Sequence, residues 1–196
     1  MMPYLALITI LFATTLCQLD AEETDARLLV QAARSQIGVT LRYDGSYQTL
    51  EYPQGDVPIE SGVCTDVVIR ALRKAWKWDL QKRVHEDMKA HFSAYPKNWN
   101  LKRPDKNIDH RRVPNLKTYF KRQAFQIPIS SHAKDYQPGD IVSCIVPPHL
   151  PHIMIVSDKK TREGTPLVIH NIGLGTQEED RLFDFKITGH YRLSSQ

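Results

Sequence analysis

Hydrophobic positions in the first half of the chain recur at helical spacing. Leu29, Ala33 and Ile37 lie four residues apart, and a wider apolar stripe follows Cys64, as expected for a central buried helix. The pattern predicts four helices, namely Thr24 to Ile37, Cys64 to Lys77, Asp79 to Tyr95 and Pro114 to Ala124. The stretch 41–62 has no steady period and is expected to form a structured loop or short strands of the kind that often line a site.

The second half of the chain changes to short, β-prone runs separated by turn residues. The predicted strands are Asp140 to Val146, His152 to Asp158, Pro166 to Asn171 and Lys186 to Leu193. Helices followed by an antiparallel sheet indicate an α+β fold in which the N-terminal helices pack on the sheet. No repeat or long linker interrupts residues 22–196, so we expect one domain.

The first residues form an apolar stretch, followed by the polar, acidic stretch Asp20 to Asp25. Its length matches a secretory signal better than a membrane span, so we interpret residues 1–21 as a signal peptide or an N-terminal anchor. Cys17 lacks the small preceding residue that lipoprotein processing requires. We therefore expect a periplasmic or secreted protein without stable membrane insertion after the signal is removed.

Composition adds little to this picture. The net charge is +4 with a pI of about 8.9, which suits an acidic polymer such as peptidoglycan but also an ordinary surface. Nucleic-acid binding would use the basic residues Lys97, Lys102, Arg103, Lys106, Arg111 and Arg112. Export and the interspersed acidic residues argue against nucleic-acid binding, so we expect no nucleic-acid partner. We also expect the protein to be a monomer.

Cys64 falls in the first turn of the predicted central helix. The helix N-terminus stabilises a thiolate, which is the nucleophilic form of cysteine. The alternative from placement alone is a buried structural cysteine. Cys144 lies inside an apolar strand and is interpreted as a core residue, or as a redox partner of Cys64 if the two ends meet.

Two histidines flank predicted buried strands. His152 begins one strand, where it can act as the base that cysteine catalysis requires, and His170 ends another, where it can hold the second nitrogen of His152. Asn171 is an alternative orienting group, although strand alternation puts it on the opposite face. The residue types that bind zinc occur at His85, Asp87 and His91 and at the pair His149 and His152. No metal motif supports them, so we expect no metal or cofactor.

Four landmarks along the chain resemble those of NlpC-type papain-like cysteine peptidases. In order they are GVCTDVV at 62–68, PGDIV at 138–142, HIMIV at 152–156 and VIHN at 168–171. Longer stretches, including YDGSY, YPQGDVP, RPDKNIDHRRVPNL and EEDRLFDFKITGHYRL, resemble the bacterial family known as domain of unknown function 1287. This second resemblance covers nearly all of the chain after the signal and implies a papain-like fold for residues 22–196.

The peptidase resemblance implies roles for individual residues. Cys64 would be the nucleophile, His152 the general base and His170 the orienting group. The oxyanion would accept hydrogen bonds from the Cys64 N–H and from the hydroxyl of Tyr43, or of Tyr47 or Tyr52 in its place. These peptidases usually have Ser-Gly after the cysteine, where this chain has Thr65-Asp66.

The charged residues near these landmarks are candidates for substrate binding. Asp66 either favours the helix dipole or binds a substrate amine, and as a carboxylate it opposes thiolate formation. The run Asp109, His110, Arg111 and Arg112 can clamp a carboxylate or form a surface ion-pair cluster. We therefore expect an exported hydrolase that cleaves an amide bond in peptidoglycan, with an acyltransferase or a non-catalytic envelope-binding module as alternatives.

Overall fold

The helices pack on one face of a six-stranded sheet in a computed structural model, which describes residues 23–195. The helical segments are α1 (residues 23–34), α2 (Cys64–Trp76), α3 (Leu80–Ala90) and α4 (Val113–Arg122), with short 3-10 turns at Phe92–Ala94, Asp109–Arg111 and Ala133–Asp135. The signal or anchor predicted for residues 1–21, with Cys17, lies outside the described residues. Within residues 23–195, no helix is both long and apolar enough to span a membrane.

The sheet is antiparallel throughout and has the strand order β3-β8-β4-β5-β6-β7. Its strands are β3 (Gln126–Ile127), β4 (Ile141–Val146), β5 (Leu150–Lys160), β6 (Pro166–Asn171), β7 (Thr176–Glu179) and β8 (Lys186–Tyr191). A separate parallel pair, β1 (Arg42–Tyr43) and β2 (Ser61–Gly62), leads into α2. The predicted α+β architecture, with N-terminal helices on an antiparallel sheet, is confirmed.

Strand alternation divides the buried residues of the sheet between its two faces. Ile153, Ile155 and Ile169 face the helices and belong to the large core, whereas Met154 and Val168 face a smaller apolar cluster on the other side. Burying one such side chain stabilises the fold by about 1.5–3 kcal/mol. By the same alternation His152 shares the face of Met154, His170 shares that of Val168, and Asn171 lies on the helix face, opposite His170 as predicted.

Several element ends differ from the prediction. The helix expected to reach Tyr95 ends at Ala90, because His91 leaves helical geometry at φ −135° and ψ 40°. The first helix ends at residue 34, before the predicted Ile37. The chain continues as turns through Gly38, whose φ is +76°. Strand β5 is longer at both ends than the predicted His152 to Asp158. Strand β7 was not predicted at all.

Candidate active site

Cys64 is the first residue of α2, at the end of the β2 segment. The preceding residue, Val63, is extended and has no polar side chain with which to cap the helix. Asp66 reaches back instead, and its Oδ2 accepts the Val63 N–H at 2.7 Å. Asn171 fixes the other side of this turn, since its Nδ2 donates to the carbonyl of Gly62 at 3.0 Å. The chain entering Cys64 is therefore held from both the helix and β6.

Asp66 and Arg111 form a buried, two-pronged ion pair. Nε and Nη2 of Arg111 donate to the two carboxylate oxygens of Asp66, each at 2.9 Å, and both side chains are almost fully buried. Arg111 also donates to the carbonyls of Asp44 and Ser46. The charge of Asp66 is thus paired within the protein, and its binding of a substrate amine stays a prediction. Arg111 is likewise committed to this pair rather than free to clamp a substrate carboxylate.

The sulfur of Cys64 lies in a protected position, with the residue 3% exposed. Burial raises the pKa of the thiol to about 12, and the nearby carboxylate of Asp66 acts in the same direction. The N–H groups of Ile153 and Thr65 interact with the sulfur and lower its pKa in part. At neutral pH Cys64 is therefore a thiol and needs a base to become a nucleophile.

A hydrogen-bonded chain of side chains crosses β5, β6 and β7. His152 Nε2 lies 2.7 Å from His170 Nδ1, and His170 Nε2 lies 3.1 Å from Glu179 Oε2. A carboxylate only accepts, so His170 Nε2 carries a hydrogen, and a neutral His170 accepts at Nδ1. His152 must then donate from Nε2. This leaves Nδ1 of His152 with a lone pair, which is the form required of a general base.

Both histidines are neutral in this arrangement. Burial, together with the nearby His170, lowers the pKa of His152 to about 3. Burial also lowers the pKa of His170, although Glu179 opposes that shift. Glu179 was not among the residues proposed from the sequence, and the signal that could have revealed it is alternation along an unrecognised β7.

Cys64 and the histidine chain both adjoin β5, but Cys64 lies on the helix face and alternation puts the His152 side chain on the other face. The N–H of Ile153, which contacts the sulfur, belongs to the residue directly after His152. Among residues 23–195, no hydrogen bond joins the sulfur to the His152 ring, and Nδ1 of His152 has no hydrogen-bond partner there. Cys144 lies directly opposite His152 on β4, is fully buried and is not bonded to Cys64.

A cavity of about 390 Å³ opens beside Cys64. It is lined by Tyr43, Gly45, Tyr47, Val63, Cys64, Trp99, Ile108, Arg111, Arg112, Val113 and Pro151. A space of this size lies at the lower end of ligand pockets and corresponds to about a dozen water molecules of liquid. The cavity therefore suits a short segment of a substrate rather than a long polymer.

The three tyrosines considered for the oxyanion differ in position. Tyr43 lines the cavity, and burial and the neighbouring Cys64 raise the pKa of its hydroxyl to about 12. Its hydroxyl makes no hydrogen bond to any residue in the described part of the chain, so it is available to a ligand. Tyr47 also lines the cavity, but its hydroxyl is bonded to Asp105 and Asn107. Tyr52 packs against His85 and does not line this cavity.

Three further residues predicted to bind substrate have other contacts. Asp109 is 1% exposed, and burial raises the pKa of its carboxyl, which accepts from the Asp105 N–H and from Arg112. His110 is 2% exposed and does not line the cavity, and burial lowers its pKa to about 3. Asn171 holds the backbone near Cys64. None of these three residues lines the cavity beside Cys64, and their contact with substrate stays a prediction.

No group of three or more His, Cys, Asp or Glu side chains with the geometry of a metal site occurs in residues 23–195. The buried cluster around Asp140 is an ion-pair network, since its carboxylate is bonded to His190 and Arg192. It ties β4 to β8 and fixes the turn at the PGDIV landmark.

The fold and site together define an α+β protein with a buried cysteine at a helix start and a His-His-Glu chain on adjoining strands. The protein belongs to the family described as domain of unknown function (DUF1287), whose model matches residues 30–193. This confirms the family resemblance seen in the sequence. The chain is 58% identical over 178 residues to the uncharacterized protein YijF of Escherichia coli (strain K12), covering 91% of this chain and 85% of that protein.

Among solved structures, the chain is similar to NlpC1 from Trichomonas vaginalis. The TM-score is 0.41 with 13% sequence identity, and the match covers 88% of this chain. This chain spans 44% of the length of that structure.

Proposed function

We propose that this protein hydrolyses an amide bond through a thioester on Cys64, with His152 as the general base. The observation that carries the proposal is the Glu179–His170–His152 chain. It leaves a lone pair on Nδ1 of His152, whose chain neighbour Ile153 interacts with the Cys64 sulfur through its N–H. Because alternation puts the His152 side chain on the other face of the sheet from Cys64, the proposal requires the imidazole to turn toward the sulfur, or a water molecule to link the two, when substrate binds. Hydrogen bonds between a nucleophile and its base are often loose in a free enzyme and shorten when substrate binds.

In the first step the Cys64 sulfur attacks the amide carbonyl while His152 Nδ1 takes the thiol proton. Because burial raises the pKa of the Cys64 thiol to about 12 and lowers that of His152 to about 3, no ion pair forms beforehand, and the proton must move as the sulfur attacks. The imidazolium formed on His152 is linked through His170 to the carboxylate of Glu179. That carboxylate offsets the cost of placing a positive charge in a buried position.

The negative charge on the carbonyl oxygen develops near the start of α2. The Cys64 N–H, at the first position of the helix, and the unpaired hydroxyl of Tyr43 are the donors available in the cavity. His152 then returns the proton to the leaving amine, and the amine departs. Water, deprotonated by His152, attacks the thioester and releases the carboxylic acid and the Cys64 thiol.

The substrate that we propose is peptidoglycan, either within the stem peptide or at its amide link to the sugar. The mild positive charge and the NlpC-like landmarks support this choice. We also propose a periplasmic or secreted location, which the apolar N-terminal stretch supports. The cavity fits one or two residues of a stem peptide.

The test is incubation of the purified protein, without residues 1–21, with peptidoglycan and soluble muropeptides, followed by mass analysis of the products. Cleavage should be lost in Cys64→Ala and His152→Ala. Cys144→Ala is the matched control, because it removes a second buried thiol directly opposite His152 without touching the cavity. No cleavage by the unaltered protein across pH and reducing conditions would overturn the proposal.

A second candidate function is a non-catalytic envelope-binding module. It is favoured by the burial that raises the pKa of Cys64 to about 12. A module of this kind binds muropeptides equally well with or without the Cys64 thiol and releases no product. An acyltransferase would instead yield a new amide or ester when an amine or alcohol acceptor is supplied.

A further inference from the structure

Arg112 has unused hydrogen-bonding capacity inside the cavity. Its guanidinium lies 4.0 Å from the centre of the Trp99 ring, and both residues line the cavity with Cys64. Nη1 donates to Asp109 Oδ1 at 3.2 Å, which is the one hydrogen bond of this guanidinium within residues 23–195. A guanidinium has five N–H donors. Most of the donors of Arg112 therefore have no acceptor in the described protein.

The neighbouring Arg111 does not offer the same capacity. Its guanidinium makes two bonds to Asp66 and one each to the carbonyls of Asp44 and Ser46. Binding a substrate anion there would mean breaking a buried, two-pronged ion pair, which is costly. Arg112 is thus the arginine of this run that can meet a ligand.

The contacts of Arg112 leave donors free for an additional anion, although Asp109 and Asp105 lie nearby. Burial lowers the pKa of its guanidinium, and burial raises the pKa of Asp109, the acid with which it pairs. Asp109 Oδ2 is already bonded to the Asp105 N–H, so this pair has a single bond rather than the two-pronged geometry of Asp66 and Arg111. The stacking on Trp99 holds the planar guanidinium in place before a ligand arrives.

We infer that Arg112, held against Trp99, binds a carboxylate of the substrate within the same cavity as the attacked carbonyl. This inference rests on the proposed function for the reaction, and it narrows the substrates to acyl peptides that carry a free carboxylate. The cavity of about 390 Å³ limits the distance between the bound carboxylate and the attacked carbonyl. The carboxylate therefore belongs to the same residue as the attacked amide or to an adjacent one.

Binding is measured first with Cys64→Ala protein, which cannot form a thioester. The probes are muramyl dipeptides that end in D-glutamate, which has two free carboxylates, or in D-glutamic acid diamide, in which both are replaced with carboxamides. We expect the D-glutamate form to bind about 10- to 100-fold more tightly, as for a hydrogen bond between charged groups. Adding Arg112→Gln should bring the two affinities to within about 2-fold, and Arg112→Lys should keep only part of the preference.

The matched control is Arg42→Gln in the same Cys64→Ala background. Arg42 directly precedes Tyr43 in the chain but does not line the cavity, and its side chain is 70% exposed and faces Glu60 at 3.7 Å. It should leave the preference unchanged. Thermal unfolding of each variant shows whether the fold is retained, and the Arg112→Lys variant serves if Arg112→Gln does not fold.

The outcomes separate this inference from the hydrolase proposal. A preference for the carboxylate that disappears in Arg112→Gln supports the subsite even if the protein with Cys64 releases no product. Equal binding of the two probes, binding of neither, or a preference that persists in Arg112→Gln overturns it, even if muropeptides are cleaved.

Discussion

Glu179 offers a direct way to test the hydrogen-bond chain behind His152. In Glu179→Gln the amide oxygen can still accept from His170 Nε2, so the tautomers are kept and the negative charge is lost. In Glu179→Lys the new side chain only donates. His170 must then accept at Nε2 and donate from Nδ1, which forces His152 to accept at Nε2 and places its proton on Nδ1. Nδ1 of His152 would then carry a hydrogen and could not accept the proton of the Cys64 thiol.

The size of each effect follows from the distances. Glu179 lies roughly 8 Å from the centre of the His152 ring, given the 3.1 Å contact with His170 and 5.0 Å between the ring centres. Two unit charges at that separation interact by about 2 kcal/mol at an effective dielectric constant near 20. The Glu179 side chain is 35% exposed, so solvent screening reduces this to about 1 kcal/mol.

We therefore expect kcat to fall about 5- to 10-fold in Glu179→Gln and on the order of 1,000-fold in Glu179→Lys, with little change in KM. The KM should stay similar because Glu179 does not line the cavity. The assay is the initial rate of muropeptide cleavage, resolved by mass. The matched control is Glu178→Gln, because Glu178 is adjacent on β7 but bonds to Arg34 on the helix face. The reasoning is refuted if Glu179→Lys keeps the wild-type kcat, or if Glu178→Gln lowers kcat as much.

Three further predictions concern reactivity and stability. Because burial raises the pKa of Cys64 to about 12, its alkylation by iodoacetamide should be slower at pH 7 than that of a free thiol and should accelerate about 10-fold per pH unit up to pH 10; a rate that levels off below pH 8 contradicts this. Arg111→Met leaves Asp66 buried without its partner and should cost about 3–5 kcal/mol in urea unfolding; a loss below about 1 kcal/mol would show that the pair is dispensable. Although burial alone would raise the pKa of Glu178, hydrogen bonds from Arg34 and its other partners lower it to about 2. The stability contributed by the Glu178 carboxylate is thus present above its unfolded pKa near 4.3 and lost as pH falls toward 2. In Glu178→Gln the melting temperature should therefore fall less steeply as the pH is lowered toward 2. If its fall with pH is the same as in the unaltered protein, the Glu178 carboxylate does not contribute this stability.

The strongly periodic parts of the sequence predicted the structure well. The apolar stripe after Cys64 is wide enough to specify α2 by itself, and the strand predicted for Pro166 to Asn171 matches β6 residue for residue. Strand β7 was missed because TQEE is polar on both faces and lies at the sheet edge, where pairing with β6 determines its conformation.

The candidate site was predicted only in part. Local patterns placed Cys64 at a helix start and the two histidines in strands, although β5 begins at Leu150 rather than at His152. Alternation correctly separated His170 from Asn171. The ion pair of Asp66 with Arg111 was not visible, since 45 residues separate the partners and their contact depends on tertiary packing. Arg111 and Arg112 look equivalent in the sequence. In the structure Arg111 is paired with the buried carboxylate of Asp66, whereas Arg112 lines the cavity with most of its donors unused.

The most direct test of the central claim is the intact mass of the protein during turnover. Protein without residues 1–21 is mixed with muropeptides, quenched in acid within seconds, and weighed together with Cys64→Ala and Cys144→Ala variants. If Cys64 is the nucleophile, the unaltered protein and Cys144→Ala gain the mass of one acyl fragment, labile to hydroxylamine as a thioester, while Cys64→Ala gains none. An adduct that persists in Cys64→Ala, or product release with no adduct even when the second step is slowed, would contradict the mechanism.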